Sequence, residues 1–291
     1  MASVALARGE PALVARPTTD RALLRAFLER DRLYAAYAIC DLDDREFART
    51  RWGVALDAGE PAAVALEYAG PSPQPVFLMG RPDGIAAILR DVIRPRIAFL
   101  AALPEHLGAF DGLYRLEAGP QMVRMWVDRD RFRPYPSAAV VRLAGTDAGD
   151  LNRLYSLGFG AWLPPRAIDD GVYYGIRVNG RLVSAAGTHV VSPSAGLAVV
   201  GNVLTLVEHR GRGYATAVTG AVTAALLGRC DQVVLNVRAD NPPALDAYRH
   251  LGYAEHVRYE ERLGRRLAAP WAELVDLVLR RLRPRKESST R

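Results

Sequence analysis

Cysteine is scarce in this chain: Cys40 and Cys230 are the only two in 291 residues. So few thiols, so far apart, exclude a disulfide framework, and both are expected reduced unless the fold brings them together. Neither has the flanking residues of a nucleophile or a metal site, and no metal is expected. Long apolar runs are missing as well. Nothing approaches the roughly 18 consecutive apolar residues of a membrane-spanning helix, and Met1–Glu10 lacks the charge pattern and apolar core of a secretory leader. A cytoplasmic protein with no membrane partner is the expectation. Lysine is nearly absent too, Lys286 being the one lysine, so arginine carries the positive charge. The formal net charge is +6, and the stretch from Arg258 onward holds ten basic residues against five acids. The body is therefore close to neutral, which argues against a nucleic-acid groove across it. The basic end reads as a solvated surface, with an anionic partner or a homodimer mate as the less favoured reading.

What is present is ordinary globular material in enough quantity for about two cores: 50% hydrophobic and 24% charged residues. In the first half, Asp20 can cap a helix through Leu28. The run Leu33–Ile39 also reads as helical. Strands are expected at 52–56, 62–68, 75–79 and 122–127, and helices at 83–92 and 104–113. The polar, proline-bearing segment 128–136 marks a boundary. In the second half, Thr146 or Asp147 caps a helix to about Leu157. Val172, Tyr174, Ile176 and Val178 alternate on one strand face. Asn179–Gly180 makes a hairpin turn, because both residues tolerate positive φ. Strands 181–191 and 197–207 follow, then an apolar helical stripe through Val218, Ala221, Val222, Ala225 and Leu226. Strand 233–237, a helix from about Pro243 to Leu251, strand 254–263 and an amphipathic helix 271–282 complete the pattern. The class is mixed α/β, with antiparallel hairpins ahead of a strand–helix–strand crossover. The halves share a rough order of elements, which suggests a tandem duplication. The division expected is 1–133, 134–265, and a basic helix and tail at 266–291.

Residues 208–216, Glu-His-Arg-Gly-Arg-Gly-Tyr-Ala-Thr, follow the apolar strand Val203–Val207. A helix N-terminus carries free N–H groups and partial positive charge, so it attracts anions. Gly211 and Gly213 let the backbone approach a pyrophosphate, and Arg210 and Arg212 add charge. The turn is not a Walker A loop, since no Lys-Ser/Thr pair follows, nor the dinucleotide G-x-G-x-x-G pattern.

The spacing Arg210-x-x-Gly213-x-Ala215 resembles the coenzyme A pyrophosphate signature of the GNAT superfamily of N-acetyltransferases. Asn241-x-x-Ala244-x-x-x-Tyr248-x-x-x-Gly252-Tyr253 is similar to that superfamily's next strand-to-helix segment. The resemblance covers residues 138–263, and the first half resembles the degenerate N-terminal partner of tandem GNAT proteins. It implies a tandem GNAT acyl-CoA N-acyltransferase fold with acetyl-CoA as co-substrate. The backbone of Leu204, Thr205, Leu206 and Val207 would pair with the pantetheine arm, and N–H groups near Thr205 and Leu206 would polarise the thioester carbonyl. Arg210, Gly211, Arg212, Gly213, Tyr214, Ala215 and Thr216 would wrap the pyrophosphate. A splay between this strand and 233–237 would admit the thioester, with Asn241 close by.

Tyr248 would protonate the departing thiolate, the plainer alternative being a core tyrosine. The superfamily often keeps a glutamate where this chain has Asn236, which cannot act as a base. Glu208 and His189 are the remaining candidates, although a lone strand histidine is more often structural. His209 is expected to pack at the turn. In the first half, Met79–Gly84 lacks the signature, and Pro82 and Asp83 oppose phosphate binding, so one donor site per chain is expected. Trp52, Trp126, Trp162, Tyr173 and Tyr174 read as core packing before acceptor lining. The function implied is acetyl transfer to a primary amine, in a small molecule or at a protein N-terminus. Mycothiol-synthase-like acetylation of an amino-sugar conjugate and a non-catalytic acyl-CoA sensor are the alternatives.

Overall fold

The computed structural model describes residues 13–70, 72–156 and 162–267. The expected helix 271–282 and basic tail lie outside the described residues. The first half runs β1 (Val14–Pro17), α1 (Arg21–Leu28), α2 (Ala36–Cys40), α3 (Asp44–Phe47), β2 (Thr50–Asp57), β3 (Glu60–Tyr68), β4 (Gln74–Gly80), α4 (Pro82–Asp91), β5 (Ile97–Ala102), β6 (Tyr114–Leu116) and β7 (Gln121–Asp128). The second runs β8 (Val140–Arg142), α5 (Ala148–Ser156), α6 (Pro165–Asp170), β9 (Tyr174–Val178), β10 (Arg181–Ser192), β11 (Leu197–Thr205), α7 (Tyr214–Leu227), β12 (Gln232–Arg238), α8 (Pro242–His250) and β13 (Ala254–Arg266).

Local signals account for many of these boundaries. The Asp20 carboxylate accepts from the Leu23 N–H at 3.0 Å and starts α1. Pro82, Pro165 and Pro242 open α4, α6 and α8, where a missing N–H costs nothing. Asn179 and Gly180 both take positive φ, 50° and 77°, and turn β9 into β10. The sequence reading did not anticipate α3, β6 or α6, and three further segments depart from it. Leu33–Ile39 is a turn followed by the single short helix α2, and 104–110 is a 3-10 helix ending at Phe110. The strand β5 was not anticipated. Its run Ile-Ala-Phe-Leu-Ala-Ala is rich in helix formers, and only pairing to strands on both sides makes it extended.

All the strands join one sheet. Its order is β1-β2-β3-β4-β5-β13-β7-β12-β11-β10-β9-β8, with β6 beside β13. Apart from β6, that order is palindromic: β1–β5 and β7 each have a counterpart at the same distance from the centre among β8–β13. β4 and β5 pair in parallel around α4, as β11 and β12 do around α7. At the centre the halves exchange strands. β7, from the first half, pairs with β12 along its whole length, and β13, from the second half, pairs with β5. The two exchanged strands then pair with each other. The expected 133/134 boundary falls in the link between β7 and β8, while the strand just before that link belongs to the second half's sheet.

Three cores follow. One lies around α5, α6, α7 and α8 in the second half, and one under α4 in the first. The third packs α1 and α2 against both halves, from Trp52 and Val54 on β2 to Leu197 and Val199 on β11. Cys40 and Cys230 come close here: their Sγ atoms face the same Leu197 carbonyl at 3.9 and 3.5 Å, and both are free thiols. Burial pushes the Cys40 thiol well up, so it is neutral and inert as a nucleophile.

Candidate active site

The β11–β12 ladder ends early. Its last pair is Val200 with Leu235, yet β11 continues to Thr205 and β12 to Arg238. Beyond that pair β12 keeps only β7, so a gap opens between the parallel strands. Two bulges shape its rim. Between Thr188–Val200 and Val190–Val199, β10 carries one extra residue, His189. Between Ala185–Leu204 and Gly187–Gly201 the extra residue lies on β11, where Asn202 adopts φ +53°. Bulges of this kind re-aim side chains, and asparagine tolerates the left-handed region better than most residues.

The chain then turns into α7. Gly211 and Gly213 take φ of +72° and +75°, and Gly213 is the N-cap, with no side chain serving as a cap. Among the described residues, the backbone N–H groups from Gly211 to Thr216 meet no acceptor. An uncapped helix start with converging donors is an anion seat. Arg210 is held back to the strand through Nε to the Thr205 carbonyl, 3.3 Å, and Arg212 reaches the Glu208 carbonyl at 3.4 Å. Neither forms an ion pair among the described residues. His209 stacks on Tyr214, centroids 6.4 Å apart, and stiffens the turn. The Leu206 N–H is already donated to the Val183 carbonyl at 2.9 Å, so it is not free to polarise a thioester. That expectation is corrected: β11 leaves β12 here but keeps its bond to β10.

Asn241 caps α8, its Oδ1 accepting from the Ala244 N–H at 3.4 Å. Tyr248, two turns on, is 7% exposed, and its hydroxyl has no hydrogen-bond partner among the described residues. Burial pushes its pKa up to about 12. Its neighbour Tyr253, by contrast, shares a 2.7 Å hydrogen bond with Thr223 Oγ1. The Tyr248 hydroxyl is not sealed in the core, so of the two phenols it is the one that water or a ligand can meet.

Asn236 does not face an empty cleft. Its Oδ1 accepts from Arg124 Nε at 2.9 Å, and Arg124 is 3% exposed. The guanidinium also donates to the Leu33 and Tyr34 carbonyls and lies 5.3–5.9 Å from the ring centroids of Tyr34, Tyr37 and Tyr259. A carboxylate at position 236 would form a buried ion pair with Arg124 and lose its basicity, so asparagine is the residue that this arginine suits.

The two candidate bases stand in different places. Glu208 lies on the turn after β11, 57% exposed at the side chain, 3.7 Å from Arg181 at the outer end of β10. His189 lies at the gap. A Cβ on Gly201, the first β11 residue past the last pair, would come within 2.2 Å of His189 Nε2, so the imidazole rests directly on that glycine. Its Nδ1 is 2.7 Å from the Tyr37 hydroxyl, and its Nε2 is 3.3 Å from Asn202 Oδ1. His189 is exposed as a residue, yet the protein around its ring holds the pKa below the usual value, with the Asn202 hydrogen bond opposing this in part. Tyr37, Arg124 and Asn202 carry no local sequence signal, since only the bulges and the exchanged strand bring them here. Trp162 is 75% exposed, whereas Trp52 and Tyr173 are buried in the cores. No group of three or more His, Cys, Asp or Glu among the described residues can hold a metal.

Residues 173–263 match the family model described as FR47-like protein. A GCN5-related N-acetyltransferase from Sphaerobacter thermophilus superposes with a TM-score of 0.59 at 17% identity, covering 88% of this chain and 97% of that one. A tandem GNAT protein from the clavulanic acid biosynthesis pathway gives 0.56 at 15% identity, covering 87% and 98%. The chain has the tandem GNAT fold. An acetyltransferase of the GNAT family from Novosphingobium aromaticivorans gives 0.51 at 24% identity over 66% of this chain and 84% of that one. No curated protein matches the chain. Among the described residues no helix is long and apolar enough to cross a membrane.

The first GNAT half carries the same gap in closed form. The β4–β5 ladder ends at Phe77–Ala101, and the Tyr34 hydroxyl fills the opening, 2.8 Å from the Leu78 carbonyl and 3.5 Å from the Ala101 carbonyl. At the start of α4, Pro82 lacks a donor. The Asp83 carboxylate takes the Gly84 N–H at 2.8 Å and pairs with Arg81, which also binds Asp57. The counterpart of the open anion seat thus holds its own negative charge.

Proposed function

We propose that this protein transfers an acetyl group from acetyl-CoA to a primary amine. The observation that carries the reading is the run of unmet N–H groups from Gly211 to Thr216, set beside a β11 segment that has left its parallel partner. The residues present fit the donor. The N–H run, Arg210 and Arg212 would hold the pyrophosphate. The backbone of Leu204 and Thr205 would align the pantetheine arm. Tyr248 has an unpaired, protonated phenol to give to the departing thiolate. With Asn236 tied to Arg124, removal of the ammonium proton falls to another group, and of the candidates His189 stands at the gap.

The first half supplies no second donor seat, so one acetyl-CoA per chain is expected. The acceptor class stays at the level of an amine, with amino-sugar conjugates and peptide N-termini both included. The Asn236–Arg124 pair favours one second reading, an acyl-CoA sensor without chemistry. A thermal-shift titration with acetyl-CoA and CoA, followed by thiol-release assays over an amine panel, separates the two. Stabilisation with acceptor-dependent thiol release is expected. Stabilisation with no release across alkylamines, amino sugars and peptides points to the sensor. No stabilisation by either ligand sinks both.

A further inference from the structure

The open question at this site is where the acceptor's proton goes, because nitrogen attacks a thioester only as the free amine. Asn236 has no basicity. Glu208 is exposed and engaged at the far end of β10. Glu261 is partly buried and its carboxyl is raised by burial, but it lies on β13. β7 separates that strand from β12, so about 10 Å of strand spacing lies between Glu261 and the gap. The remaining arrangement is a chain of hydrogen bonds that crosses between the halves.

We propose that Tyr37, from the first half, and His189, from the second, form a proton relay that deprotonates the acceptor amine. The proposal rests on the transferase reading above. Its geometry fixes the direction of each bond. Tyr173 donates to the Thr188 carbonyl at 3.0 Å, so its oxygen accepts from Asn202 Nδ2 at 3.3 Å. That orients Asn202 Oδ1 toward His189 Nε2, which must therefore carry the hydrogen. Nδ1 is then the bare nitrogen, and the Tyr37 O–H donates to it. Such an imidazole is neutral, correctly oriented and ready to accept one proton at Nδ1.

The proton moves in two linked transfers. The ammonium gives a proton to the Tyr37 oxygen as the Tyr37 proton passes to Nδ1. The phenol is left neutral, the imidazole becomes imidazolium with both nitrogens protonated, and the amine has its lone pair. The amine nitrogen then bonds to the carbonyl carbon and the carbon–sulfur bond breaks. The second nitrogen proton that must be lost is balanced by the proton gained at sulfur, by way of Tyr248. Once the product leaves, His189 returns its Nδ1 proton along the same path, through the Tyr37 oxygen to water in the vacated acceptor site, which restores the Nε2–H tautomer. Burial holds the Tyr37 phenol well above its usual pKa and Arg124, 5.4 Å from the ring centroid, offsets this only in part, so Tyr37 passes protons as a neutral phenol and not as a phenolate. Tyr259, Glu261 and Cys40 act on Tyr37 through space without a hydrogen bond to it, and Tyr173 reaches His189 only through Asn202.

The test compares Tyr37→Phe, His189→Gln and Glu261→Gln in the full chain. The acceptors are the best alkylamine of the panel and hydroxylamine, which is uncharged at neutral pH. The relay predicts a fall in kcat of about 100-fold or more with the alkylamine for the first two variants. Acetyl-CoA binding should be unchanged, and activity should recover as pH rises and the amine deprotonates itself. Hydroxylamine should lose far less, which a merely structural defect would not spare. In ¹⁵N-histidine spectra of the wild type, His189 should be the Nε2–H tautomer, and Tyr37→Phe should shift its titration. Equal losses with both nucleophiles, wild-type kcat in Tyr37→Phe, or a loss confined to Glu261→Gln would each overturn the relay alone. Absence of any thiol release by the wild-type chain would remove the transferase reading instead, and with it the relay's purpose.

Discussion

Replacing Gly213 with alanine separates the cost of a left-handed residue from the loss of an anion seat. At φ +75° an L side chain is strained by about 1–2 kcal/mol, which for a chain of this size lowers Tm by about 2–8 °C. The new methyl would stand 2.9 Å from the Tyr135 hydroxyl, the free end of a side chain that is 40% exposed and can swing aside. The methyl also occupies space at the unmet N–H groups. A hydrogen bond to a charged oxygen is worth about 1.5–3 kcal/mol, so losing one weakens acetyl-CoA about 10- to 150-fold. Gly59 supplies the control. It sits at φ +94° with nothing within 4 Å of a new Cβ, so Gly59→Ala carries the strain without touching the seat. Thermal melts of both variants, with and without acetyl-CoA, decide the matter. Both should melt lower when free, and only Gly213→Ala should lose the ligand-induced shift. If Gly213→Ala binds acetyl-CoA as tightly as Gly59→Ala, the pyrophosphate does not sit on this turn.

Tyr248→Phe should lower kcat about 100-fold or more while the acetyl-CoA-induced shift in Tm persists. Since the phenol titrates at about 12, the wild-type rate should show no alkaline fall from this group below about pH 11. Tyr34→Phe should destabilise the chain by about 1–3 kcal/mol, because the Leu78 carbonyl loses its buried partner. Calorimetric titration of that variant should still give one acetyl-CoA per chain, as Pro82 and Asp83 remain. Asp41 has its carboxyl raised to about 7, chiefly by burial. Between about pH 4 and 7 the folded chain therefore holds a proton that the unfolded chain has released, so stability falls as pH rises through that window. Urea midpoints at pH 5 and pH 8 should converge in Asp41→Asn.

The turn into α7 and the α8 cap were legible in the sequence because their signals are local. Gly211, Gly213 and the α7 start lie within a few residues, and the Asn241 cap and Tyr248 share one helix. The gap beside β12 was implied by the family resemblance and is present as the early end of the β11–β12 ladder. Of the residues that meet beside the gap, only His189 was singled out beforehand, and the others were not legible for the opposite reason. Tyr37, Arg124 and His189 come from α2, β7 and β10, and they meet only because β7 crosses into the second half's sheet and a bulge turns His189 toward α2. Tyr34 shows the same limit. Nothing around it signals that its hydroxyl closes the first half's gap. β5 escaped notice because its alanines and leucines suit a helix until β4 and β13 flank them.

The strand exchange has a consequence for how such a duplicated chain can change. Each half finishes the other's sheet, so neither is a separable module: a cut in the link between β7 and β8 leaves two fragments that remain interleaved. In the first half Pro82, Asp83 and Tyr34 occupy the places of the open turn and gap, yet this half cannot be discarded, since its last strand is the wall against which β12 stands. The shape of the first half is what brings α2, and Tyr37 with it, to the rim of the gap in the second.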